Sequence, residues 1–142
     1  MKAIAVILAS GLLVATTSFV PAAFAETVAL KTDLKGSNSV PPNASTATGT
    51  VAATYDTATK VLNYTVTFSG LSGPAIAAHF HGPAEAGKNA GITVHFPAVA
   101  SPIKGTATLT DAQAADLLAG RWYANIHTNA IPSGEIRGQL VK

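Results

Sequence analysis

Two runs, ATGTVAATY (Ala47–Tyr55) and VLNYTVTFS (Val61–Ser69), flank the pentapeptide DTATK (Asp56–Lys60). In the second run Leu62, Tyr64, Val66 and Phe68 alternate with polar neighbours, so one face of an extended chain is apolar and belongs to a core. A short polar connection between two such runs reads as a β-hairpin. The same pattern recurs on both sides. Val28, Leu30, Thr32 and Leu34 alternate upstream, and KGSNSVPPNAS (Lys35–Ser45) ends that strand, because adjacent prolines cannot donate to a ladder. Downstream, Ile76, Ala78 and Phe80 form one face of a strand, and Ala77, His79 and His81 form the other. Ile92, Val94 and Phe96 alternate against Thr93 and His95, and GTATLT, RWYANIHT and GEIRGQLV supply three further strands.

Only TDAQAADLLAG (Thr110–Gly120) reads as helical: Thr110 and Gln113 form a capping box, and Gly120 terminates it. The expected fold is therefore all-β, a Greek-key β-barrel or sandwich of about eight strands with one short helix.

Met1-Lys2, the apolar run Ala3–Val20 and the small-residue ending Ala23-Phe24-Ala25 describe a secretory signal peptide over residues 1–25, with cleavage after Ala25. The remaining domain, residues 26–142, holds 8 basic and 7 acidic residues without any basic stripe, which argues against nucleic acid. It has no further long apolar run, so no membrane contact is expected once the signal is removed. The expected location is the periplasm or the medium. There is no cysteine, and the single methionine is Met1. A metal in such a chain must be held by imidazole, carboxylate, backbone or water, which excludes blue-copper and thioether sites.

The four histidines are His79, His81, His95 and His127. His79 and His81 project from one strand face, roughly 7 Å apart along it. Tyr123, Asn125 and His127 share a face of another strand, so His127 joins the pair if the two strands are neighbours. His95 is the fourth candidate. An all-imidazole set suits copper, with zinc as the alternative. Asn125, Thr128 and Glu135 are candidate acceptors for the second ring nitrogens. Glu135 and Arg137 alternate on one strand face and read as a surface ion pair; the functional alternative is an Arg137 that draws an anion to the metal. Trp122 and Tyr123 point to opposite faces, one toward the core and the other covering the site or standing on the surface. No Ser-His-carboxylate string or catalytic cysteine is present.

Several segments, in order, resemble the CHRD domain, the module named for chordin: SVPPNASTATGT, LNYTVTFSGLSG, AHFHGPAEAGKNAG, SPIKGTATLT, LLAGRWYANIHT and PSGEIRGQL. The resemblance implies a small secreted β-barrel, with His79, His81 and His127 on motif positions and His95 outside the motif. The order His-x-His, a further His and a last His near the C-terminal strands is also similar to the copper ligands of Cu,Zn superoxide dismutases, another Greek-key barrel. This chain lacks their disulfide and zinc-binding loop, so the likeness implies a copper-only site at most.

The leading expectation is an extracytoplasmic metal-binding barrel for copper storage, buffering or delivery, with the metal ion as its partner. The alternatives are a copper-only superoxide dismutase-like oxidoreductase and a metal-free module that binds a protein, and a protein partner or homodimer stays open.

Overall fold

The structure, a computed structural model, describes residues 24–142. The expected signal peptide lies outside the described residues except for its last two positions. Eight strands form one antiparallel sheet: β1 (Thr27–Lys35), β2 (Thr48–Asp56), β3 (Val61–Ser69), β4 (Ala75–His81), β5 (Ile92–His95), β6 (Ile103–Thr108), β7 (Tyr123–Thr128) and β8 (Ile136–Gln139). A single helix, α1 (Asp111–Leu118), lies between β6 and β7. No helix among the described residues is long and apolar enough to cross a membrane.

The hairpin expected at Asp56–Lys60 forms as read. Asp56 pairs with Val61 across the turn, and the Asp56 carboxylate accepts from the amides of Ala58 and Thr59 at 2.9 and 2.8 Å. The strands follow the order β5-β4-β7-β8-β1-β2-β3-β6, curled into a nearly closed barrel whose two end strands, β5 and β6, share no ladder. Between β3 and β4 the chain moves from the neighbour of one end strand to the neighbour of the other, and β7 returns to lie beside β4. These are Greek-key crossovers.

The core fills from alternate residues. Leu62, Tyr64 and Val66 of β3 meet Ala78 and Phe80 of β4 and Ala124 and Ile126 of β7, with Trp122 closing one end. Phe80 packs edge-on against Tyr64 and Phe96, with ring centroids 4.9 and 4.7 Å away. Burial of such side chains is worth about 1.5–3 kcal/mol each and is the main force holding a chain without disulfides. Gly105 lies directly under the Tyr64 ring, where any side chain would collide with it. The capping box of Thr110 and Gln113 is present, and Leu117 anchors the helix in the core.

Ile76 and Ile92 are each 47% exposed. The β4 ladder to β7 shifts register between Ala75 and Ala77, and its ladder to β5 shifts between Phe80 and His81. A bulge of this kind leaves a residue out of the alternation and re-aims its neighbours.

Candidate metal centre

Strands β4 and β7 are neighbours, which brings His127 to the pair. Asn125 stands opposite His79, and His127 is its diagonal neighbour two residues on. On the other side of β4, His95 of β5 stands directly opposite His79. All four imidazoles thus lie on the face turned away from Ala78, Phe80, Ala124 and Ile126. The ring of His79 is central: its centroid lies 5.5 Å from His81, 4.8 Å from His95 and 5.3 Å from His127.

His79, His81 and His127 each offer a nitrogen, and the three lie within 4.8 Å of one another. Nitrogens bound to one ion at 2.0–2.1 Å can be at most ~4.2 Å apart, so small ring rotations bring the set to coordination distance. His95 is outside this triad and exposed.

The hydrogen bonds select which nitrogens are free. His81 Nδ1 pairs with the carbonyl of Ala90 at 3.1 Å, and His127 Nδ1 pairs with the carbonyl of Pro132 at 2.9 Å. Each ring then carries its proton on Nδ1 and leaves Nε2 as a lone pair. His81 Nε2, His127 Nε2 and His79 Nδ1 are all buried without a hydrogen-bond partner. An unpaired buried polar group costs about 1–3 kcal/mol, so three converging in one cluster call for a purpose other than folding. Burial, with the neighbouring His127, His81 and His95 rings, pulls His79 down to about 4. Burial also lowers His81, against the opposing effect of its bond to Ala90. His79 and His81 are therefore neutral near pH 7, the state in which imidazole is a ligand.

One side of the cluster is closed. Tyr123 stacks on His81 with centroids 4.8 Å apart and planes at 1°. Its hydroxyl donates to the carbonyl of Ala90 at 3.3 Å and accepts from the amide of Ala90 at 3.0 Å. Arg137 lies over the Tyr123 ring, its guanidinium carbon 3.5 Å from the centroid. It donates to the Lys88 carbonyl and the Asn89 side chain at 2.6 and 3.0 Å. The loop Gly82–Gly91 is thus clamped against the site. Of the two aromatic residues, Trp122 went to the core and Tyr123 to the cover.

Glu135 and Arg137 form no surface ion pair. They are 0% and 2% exposed and turn to different partners. The Glu135 carboxylate accepts from Ser45 Oγ at 2.7 Å, Ser72 N and Oγ at 2.9 and 2.7 Å, and Thr128 Oγ1 at 2.6 Å. Burial would raise its pKa, but these bonds outweigh it and hold the group at about 2. Glu135 therefore staples two loops to β7. Neither it nor Asn125 nor Thr128 supports an imidazole; the carbonyls of Ala90 and Pro132 do. Backbone carbonyls carry no signal in a sequence, and Ser45 and Ser72 lie 90 and 63 residues from Glu135.

The family model of the CHRD domain matches residues 30–140 of the chain. No curated protein and no solved structure matches it significantly.

Proposed function

The chain belongs to the CHRD domain family, and we propose that this member is an extracytoplasmic metal-binding barrel that holds copper through His79, His81 and His127. The observation that carries the proposal is the set of three buried, unpartnered imidazole nitrogens grouped on one face. Copper is favoured over other divalent ions where the ligands are equal, and zinc, which accepts three histidines and a water, is the second choice. The apolar run Ala3–Val20 supports the reading of an export-compartment role, as storage, buffering or delivery.

The protein's own part is to hold the rings. The Ala90 and Pro132 carbonyls orient two imidazoles and set their tautomers, and Tyr123 excludes water from the His81 side. Arg137 contributes to this clamp and is too buried to guide an anion from solvent. That weighs against the dismutase alternative, which depends on an anion path.

The test is titration of untagged protein with Cu(II), followed by EPR. The expected result is one ion per chain with nitrogen-dominated hyperfine structure. Binding that is undiminished by the double substitution His79→Ala and His81→Ala would overturn the proposal, and thermal stability unchanged by Cu(II) would point to the metal-free module.

A further inference from the structure

Burial across the four imidazoles is graded. His81 is buried, His79 and His127 are partly buried, and His95 is exposed. The buried end is shut by the Tyr123 stack and the Gly82–Gly91 loop. The exposed end is the short strand β5, which ends the sheet and pairs only with β4. His95 therefore stands at the exposed end of the cluster, directly beside His79. The His95 ring is 4.8 Å from that of His79, close enough to pass an ion from one to the other by ligand exchange.

We infer that His95 is the entry and exit ligand of the cluster: it captures the ion from solvent or a donor, hands it to His79, and takes it back on release. This rests on the metal-binding reading of the triad. It assigns the exposed histidine a kinetic task and leaves the resident coordination to the three covered rings. An edge strand suits the task. β5 is held by few ladder bonds, and such segments open more readily than the middle of a sheet, so its histidine can turn outward while the triad stays in place. Only metal–ligand bonds form and break, and the oxidation state of the ion is unchanged. The exchange swaps a water or donor ligand for His95, then His95 for a triad nitrogen.

Stopped-flow loading with aqueous Cu(II), read by quenching of Trp122 fluorescence, and stripping by EDTA test the assignment in wild type, His95→Ala and His95→Gln. Both substitutions are expected to slow loading and stripping together by about tenfold while the equilibrium Kd stays within about threefold, since a residue on the path changes both rates and neither end state. His127→Ala is the comparison, and it should weaken Kd itself. Unchanged rates in both His95 variants overturn the inference. So does a loss of affinity equal to that of His127→Ala, which would make His95 a resident ligand. Failure of wild type to bind Cu(II) would instead defeat the metal reading on which the inference stands.

Discussion

Two polar clusters flank β7, and they are built on opposite terms. Around Glu135 every charge is answered: four donors from Ser45, Ser72 and Thr128 converge on one carboxylate. Around His79 the ring nitrogens face one another and three have no partner. Both clusters are covered by loops, and both sit on the same frame of β4, β7 and β8. A satisfied cluster stabilises the fold that contains it. An unsatisfied one weakens it until something binds. The contrast separates a structural staple from the candidate metal centre without reference to any relative.

The comparison can be broken at either side. The largest effect is expected from His79→Ala with His81→Ala. Copper affinity should fall by at least about a thousandfold, about 4 kcal/mol, while the unfolding midpoint of the metal-free protein in urea stays within error or rises. A large loss of metal-free stability would show that the rings are structural after all.

Next is the acid limb of stability. Glu135 titrates at about 2 in the native state against an ordinary 4.5, so the unfolded chain takes up the proton first. Its contribution is complete above pH 4.5 and is lost as pH falls toward 2, about 3 kcal/mol in all. His79, at about 4 against 6.5, likewise lets the unfolded chain protonate first, so metal-free protein loses stability already between pH 6.5 and 4. Urea unfolding across pH 7 to 2 should show both windows. Glu135→Gln should remove the lower one and leave copper binding intact; His79→Ala should shrink the upper one, leaving the part that the lowered His81 supplies.

The smallest effect is on the cover. Tyr123→Phe keeps the stack on His81 and loses the two bonds to Ala90. Copper affinity should drop by about tenfold, as for other groups that orient a ligand from behind. Isothermal titration measures it, and a change below about twofold would leave the cover without a role in orientation.

Much of the fold was legible because strands with one buried face write their alternation into the chain. The β2–β3 hairpin, the capping box at Thr110 and the outward face of His79 and His81 are all read from neighbouring residues. The exposure of Ile76 and Ile92 was not legible, because a register shift is a property of two strands at once, and neither strand records it alone. The Glu135–Arg137 pair was misread for a related reason. Residues two apart on a strand do share a face, but that face lies under loops supplied from Ser45, Ser72, Lys88 and Asn89.

The sequence by itself determined the strands, the helix, the absence of sulfur and the histidines available for a site, since each depends on residue type and local spacing. Only the tertiary structure decided that β4 and β7 are neighbours, that His127 joins His79 and His81 while His95 stays exposed outside the triad, and that the carbonyls of Ala90 and Pro132 set the rings. Those facts depend on which strands pair and which loops fold over them. That choice is made by the energy of the whole barrel, and no local window of the chain contains it.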